Sequence, residues 1–496
     1  MTNQNSNHSQ TNHSQIDFNA LARQSLAAHG FQPEFSPAVE QQLAELKAQP
    51  PSVQPSGDIR DLRSLLWSSI DNDTSRDLDQ IEYAEQLPGG DIRVMIGVAD
   101  VDAFVKKGTP IDEHANGQTS TLYTGVAIFP MIPEELSTGT TSLLENHDRL
   151  AIVVQYDVGA DGHFKETSIY RAVVNNKAQL AYPSIGAWLE DRGEAPPKVA
   201  ASPELQEQLK LQDKAAQALR AERYKHGALT IEGNEVQPIT KQGDIVDIED
   251  HEKNRATELI EDFMIAANEV VARFLLDVPS IRRIVKTPKR WDRIVALAAE
   301  SGTTLPAEPD SKALNDFLTA RLAADPDHFA DLSLAVVKLM GPGEYVLENP
   351  GETMQGHFGL AVRDYAHSTA PNRRYADVIT QRLIKAKLAH TNQPYSADEL
   401  ETIAKHLTER EDAARKVERE TSKRLTAIAM VHHLGEQYDG IVTGVGEHGT
   451  FVRVLKPHME GLLIQGQQGA DVGDRMRVKL VSADPQKGYI DFTRAQ

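Results

Sequence analysis

Residues 70–82, IDNDTSRDLDQIE, place Asp71, Asp73, Asp77, Asp79 and Glu82 within one short stretch. Like charge at that density is either a solvated loop or the seat of a cation. Two cation chemistries are open. The oxygen side chains of Asp71, Asp73, Ser75, Asp77, Asp79 and Glu82 follow the spacing of a calcium-binding loop. Against that, Arg76 stands where the sharp turn needs glycine, and the flanks LWSSI and IEYAEQ read as strands rather than paired helices. Magnesium asks for less: a few carboxylates, with water and phosphate completing the shell. Two such ions, about 4 Å apart, clamp the attacking and leaving oxygens of a phosphodiester. In an extended segment Asp77 and Asp79 point the same way, and Asp71 approaches from the preceding turn.

The elements that must position these residues are of both kinds. RVMIGVADVDAFV and RLAIVVQYDV are strand-like, while NRATELIEDFMIAANEVVARFLLD and YADVITQRLIKAKLA carry apolar residues at helical spacing. No regular βαβ period appears, so the expected class is α+β, with mixed sheets and packed helices. Residues 1–16, rich in Asn, Ser, His and Gln, read as a disordered polar tail. Residues 17–57 read as two short helices, the second capped by Ser36 with Pro37, followed by the linker PPSVQPSG. A catalytic unit is expected over 58–435. Over 436–496, five short strands broken by Gly and Asp predict a small OB-type barrel, reached by a long charged helix.

Composition narrows the function classes. The 496 residues contain no Cys, which excludes disulfides and thiolate metal sites. No apolar run approaches the roughly 20 residues of a membrane span, and the N-terminus has no secretory pattern, so the expected location is cytoplasmic. The formal net charge of -20 argues against a general polyanion binder but says little about a recessed channel. RRIVKTPKRWDR, at 282–293, is locally basic and reads as a solvated face.

Ordered motifs decide between the cation readings. IDNDTSRDLDQ, IGVADVDAFV, PMIPEELS, SLLENHDRLA, ELIEDFMIAANE and STAPNRRYADVITQRL resemble, in order, the signatures of the ribonuclease II (RNB) family of exoribonucleases. The C-terminal strands resemble an S1 domain. The resemblance runs over about residues 17–496. It implies a Mg2+-dependent hydrolase, with Mn2+ as an alternative metal, that degrades single-stranded RNA from its 3′ end to nucleoside 5′-monophosphates.

Carried over residue by residue, the resemblance implies catalytic roles for Asp71, Asp77, Asp79 and Arg373, with Asp71, Asp77 and Asp79 on the metal. Gln80 stands where the family has a fourth Asp; a neutral amide can still ligate but weakens cation binding. The runner-up reading follows from it: an RNA-binding relative with little or no nuclease activity. Tyr123, seven residues before Pro130, matches a tyrosine that packs on the terminal nucleotide. Glu261 and Glu418 match acids that position the 3′ end, and Arg374 is a second candidate for phosphate. Ile231 stands where a relative has a stacking aromatic. In the barrel, Tyr438, His448 and Phe451 are candidates for base stacking, with Arg453, Lys456 and Arg477 for phosphates. Typical members carry two cold-shock barrels ahead of the nuclease unit, and about 57 residues stand there here. The expectation is a weaker grip and freer entry of RNA with a duplex portion. A monomer is expected, since one chain should hold the whole channel.

Overall fold

The computed structural model describes residues 18–125, 127–231, 236–241, 244–250, 253–447, 449–454 and 456–495. The polar segment over 1–16 and the stacking candidate His448 lie outside them. Two helices come first, α1 (Phe18–Ala28) and α2 (Pro37–Ala48). Ser36 caps α2 by accepting a hydrogen bond from the amide of Val39, with Pro37 in the first turn.

The main body is built on strands β1 (Ile59–Asp61), β2 (Trp67–Asp71), β3 (Gln80–Gln86) and β4 (Ile92–Ala99). Helix α3 (Pro110–Gln118) and the small hairpin β5 (Leu122–Tyr123) and β6 (Ile128–Phe129) follow. Then come the long strands β7 (Asp148–Val158) and β8 (Phe164–Ala181). The sheet order is β1-β8-β2-β3-β4-β7, and β7 pairs again with β8, so the sheet rolls back on itself. Strand β8 runs parallel to β1 and β2 and antiparallel to β7. This mixture is why no βαβ period was legible.

Helices α4 (Tyr182–Leu189), α5 (Pro197–Ala200) and α6 (Pro203–Lys225) lead to the hairpin β9 (Val236–Lys241) and β10 (Asp244–Asp250), then to α7 (Arg255–Phe274). Trp67, Ile70, Ile81, Ile96 and Tyr156 of the sheet pack in one core with Phe263 of α7. Next are β11 (Ser280–Ile284), helices α8 (Trp291–Glu300), α9 (Ser311–Ala324) and α10 (Phe329–Met340), and β12 (Glu344–Glu348). The three helices form a separate core from Trp291, Ile294, Phe317, Leu318 and Phe329, onto which Ile231 packs. Helices α11 (Tyr375–Leu388) and α12 (Ala397–Met430) complete the body.

In the basic segment at 282–293, Lys286, Lys289, Arg290 and Arg293 are exposed as a solvated face requires, and two of its arginines depart from that reading. Arg282 and Arg283 lie buried on β11, where Arg282 pairs with Glu348 of β12 and Arg283 forks onto Glu411 at 2.6 and 2.8 Å. Trp291 belongs to the helical core. A charge-only reading could not see acidic partners 60 to 130 residues away.

Strands β13 (Gln437–Gly446), β14 (Gly449–Val454), β15 (Met459–Gln465), β16 (Arg475–Asp484) and β17 (Tyr489–Arg494) close into the expected five-stranded barrel. Its apolar interior, including Val452 and Phe492, shares a cluster with α1 and the end of α12.

Candidate functional site

The acidic loop is anchored from outside itself. β2 ends on Asp71, and β3 begins at Gln80. Strands on both sides end the calcium reading, which needs flanking helices. Ser142 holds the loop in place: its hydroxyl donates to the carbonyl of Arg76 at 2.6 Å and accepts the amide of Leu78 at 2.9 Å. Arg149 in turn donates to the carbonyls of Ser142 and Gly139. The motif SLLENHDRLA is therefore the loop's clamp.

A second anchor brings in the arginine. The segment before α11 is tied to the one before β5, with Thr121 N donating to the carbonyl of Arg373 at 3.0 Å. Tyr123 and Arg373 thus share one wall. Gly125, at φ +90°, lets the β5–β6 turn lie against α12: a Cβ there would sit 2.5 Å from Leu425.

These elements enclose a cavity of about 730 Å³. Asp71, Asp77, Asp79, Gln80, Tyr123, Arg373 and Glu418 all line it. Asp71 Oδ1 accepts from Ser75 and from the amide of Asn72, both at 2.8 Å. Asp77 Oδ2 accepts from the Tyr123 hydroxyl at 2.7 Å. Asp79, 2% exposed, accepts from the amide of Asn372 at 2.8 Å and from Arg373 Nε at 3.0 Å. That bond fixes the guanidinium by one edge, a geometry suited to presenting its other nitrogens to an anion.

The electrostatics are unbalanced toward negative charge. Burial pushes the Asp79 carboxyl up to about 7, partly offset by Arg373. Burial also raises Asp71, against the hydrogen bonds from Ser75 and Asn72. The Tyr123 hydroxyl is held up by burial and by the neighbouring Asp77. A smaller cavity, about 270 Å³, lies by α7 and contains Arg223, Asp262, Glu269 and Arg273. There Asp262 pairs with Arg223, and Glu269 with Arg273. The larger cavity instead sets four carboxylates, Asp71, Asp77, Asp79 and Glu418, against the guanidinium of Arg373.

Among the described residues, no three or more His, Asp or Glu side chains are grouped so that they could by themselves hold a metal ion. The donors still suit a hard cation. All are oxygens, Asp71 Oδ2 and Asp77 Oδ1 take no hydrogen bond from described residues, and magnesium needs only one or two carboxylates plus water.

Other candidates lie elsewhere. Arg374 forks onto Asp377 at 3.0 and 2.8 Å and does not line the cavity, so the ion pair with Asp377 falls to this arginine and leaves Arg373 for the site. Glu261 pairs with Lys253 on the surface, while its helix neighbours Ile260 and Met264 face the cavity. Tyr438 donates to Glu436, and Phe451 is half-buried on β14, both in the barrel. Arg453 is buried in an ion pair with Asp331 of α10, which corrects its reading as a phosphate contact. Tyr182, Met264, Thr369 and Ser422 also line the cavity and were not singled out from sequence. Tyr182 follows Ala181, the β-partner of Asp71, across a separation that no local pattern signals.

Residues 59–390 match the family model described as the RNB domain, and residues 436–495 match the RNase II-type exonuclease C-terminal S1 domain. Ribonuclease R of Escherichia coli (strain K12) is 30% identical over 499 residues, covering 92% of this chain and 60% of the relative. Ribonuclease R of Thermotoga maritima is 29% identical, covering 93% of this chain and 68% of the relative. The chain thus spans about three fifths to two thirds of these relatives' lengths. The solved structure of Mycoplasma genitalium RNase R in complex with ribose methylated single-stranded RNA shares the fold. Its TM-score is 0.85 at 22% identity, over 97% of this chain and 78% of that one.

Proposed function

Because the chain belongs to the RNB family, with an RNase II-type S1 domain at its C-terminus, we propose that it is a metal-dependent 3′→5′ exoribonuclease. Single-stranded RNA is the substrate, nucleoside 5′-monophosphates are the products, and Mg2+ is the cofactor, with Mn2+ as its substitute. RNA with a duplex portion enters by a 3′ overhang. The observation that carries this reading is the cavity where Asp71, Asp77 and Asp79 meet Arg373 and Tyr123.

Asp71 and Asp77, each with an oxygen free of hydrogen bonds from described residues, would hold the metal together with the remaining lone pairs of Asp79. When bound, the metal neutralises charge on the scissile phosphate and on the oxygens that attack and leave. Arg373, braced by Asp79, stabilises charge on the phosphate. Tyr123, partly exposed at the cavity wall, packs against the terminal nucleotide, a contact that tolerates any base. Glu418, on the facing helix α12, accepts hydrogen bonds from the 3′-terminal ribose.

The test is incubation of 5′-labelled single-stranded RNA with Mg2+ or Mn2+, comparing the natural chain with Asp79→Asn. The expected result is progressive 3′ shortening that the substitution abolishes. RNA binding without shortening by the natural chain would favour the non-catalytic reading that Gln80 raises. A hairpin with a 3′ overhang should be shortened toward its stem.

A further inference from the structure

We infer that Ser422 reads a ribose 2′-hydroxyl of the bound strand, that of the nucleotide adjoining the one Glu418 holds, and so helps the site tell RNA from DNA. The inference rests on the exoribonuclease reading above and adds a specificity residue to it.

Helix α12 lines the cavity with Glu418, Ser422 and Leu425. Steps of four and three residues put them on one side of the helix. Ser422 is exposed there, and its hydroxyl makes no hydrogen bond to any described residue. Its neighbours behave differently. Thr421 Oγ1 donates to the carbonyl of Val417 at 2.8 Å, and Thr426 Oγ1 to that of Ser422 at 3.0 Å. Such back-bonding is a common fate of a hydroxyl inside a helix. Most other hydroxyls of the cavity are also engaged. Ser75 donates to Asp71, Tyr123 to Asp77 and Thr124 to the carbonyl of Ala127, while Thr369 Oγ1 accepts from Asn268 and Arg374. Tyr182, like Ser422, has no hydroxyl partner among the described residues, but it follows Ala181, the β-partner of Asp71, and so belongs to the acidic side.

The hydroxyl brings α12 no stability, because alanine is the better helix former at an open position. It suits a ligand instead. A serine hydroxyl donates and accepts at once, and so does a ribose 2′-hydroxyl, which deoxyribose lacks. The neighbouring Glu418 carboxylate makes this wall a poor seat for a phosphate and a good one for a neutral sugar edge. Ser422 stands one helical turn, ~6 Å, along the axis from Glu418. That displacement carries its contact off the terminal ribose, assigned above to Glu418, and onto the adjoining one.

Single-turnover removal of the 3′-terminal nucleotide by the full-length protein with Mg2+ tests this. The substrates are an all-ribose oligonucleotide and three others, each with one 2′-deoxy position: terminal, adjoining or third from the end. The proteins are the natural chain, Ser422→Ala and Ser422→Thr. A deoxy change beside the scissile bond also alters the leaving oxygen, so the contact is read from how the deoxy penalty differs between proteins. At the adjoining position the penalty should be ~5-fold smaller in Ser422→Ala than in the natural chain, the worth of one neutral hydrogen bond. Ser422→Thr, which keeps the hydroxyl, should keep the natural penalty. An equal penalty in Ser422→Ala and the natural chain overturns the inference, even if Ser422→Ala is slower on every substrate. So does a penalty that shrinks only at the terminal or third position. A natural chain that shortens no oligonucleotide overturns the exoribonuclease reading itself, a result distinct from shortening with equal penalties.

Discussion

Asp79 does two jobs that pull against each other. Its carboxylate braces Arg373 and is among the most deeply buried charges of the cavity. Because burial raises its pKa to about 7, well above the ordinary carboxylate value, it favours the folded state most when protonated. That contribution is fully present below about pH 4 and is lost as pH rises through about 7. The metal-free protein should therefore lose ~2–4 kcal/mol of stability from this group between those limits. Urea unfolding in EDTA at a series of pH values, natural chain against Asp79→Asn, measures it: the difference between the two should shrink or reverse as pH rises. A difference that stays constant with pH would assign no such role to Asp79. At this scale the acidic cluster of Asp71, Asp77 and Asp79 was legible as a local spacing, while its association with Arg373 came only from the motif resemblance. The motif ranked Arg373 ahead of Arg374, but only the fold shows that Asp377 takes Arg374.

Helix α11 carries the Arg373 wall, and a buried ionic network fixes it. Arg382, 4% exposed, donates to Asp102 at 2.9 Å, Asp112 at 2.7 Å, the hydroxyl of Tyr395 and the carbonyl of Val105. Lys385, one turn on, reaches Asp100 and Asp102, each at 2.8 Å. Removing one partner of such a network strands buried charge, so Arg382→Met should cost ~3–5 kcal/mol. Adding Asp112→Asn should recover part of it, because the stranded carboxylate goes too. Chemical denaturation of the single and double variants reads both values; strictly additive losses would mean the residues act independently. The sequence displayed α11 through its periodicity, and ADVDAF as a strand end. That Asp102 and Arg382 meet across 280 residues follows only from how α11 packs on the sheet.

Over the whole molecule, two sets of contacts among the described residues stand out in holding the barrel. The long helix α12, capped by Ser396 and Glu399, runs from the body into the barrel's core cluster. On another side, Arg453 pairs with Asp331, and Arg475 Nε donates to His328 Nε2 at 2.9 Å, joining the barrel to the α8–α10 helices. These polar ties carry little apolar contact, so Asp331→Ala should loosen the barrel without unfolding the body. Limited proteolysis should cut faster around residues 431–436, with the main melting transition unchanged. Equal digestion rates would show that α12 alone holds the barrel.

Local chemistry was enough to single out the acidic loop, the capped helix α2 and the five-strand barrel, because spacing, capping and alternation act within a few residues. Partners were beyond its reach. The buried pairs Arg282–Glu348 and Arg453–Asp331, the cavity role of Tyr182 and the orphaned carboxylate of Glu82 depend on which strands and helices come together. A charge reads the same in sequence whether water, a counter-ion or nothing faces it; the fold chooses among the three, and that choice sets its energy.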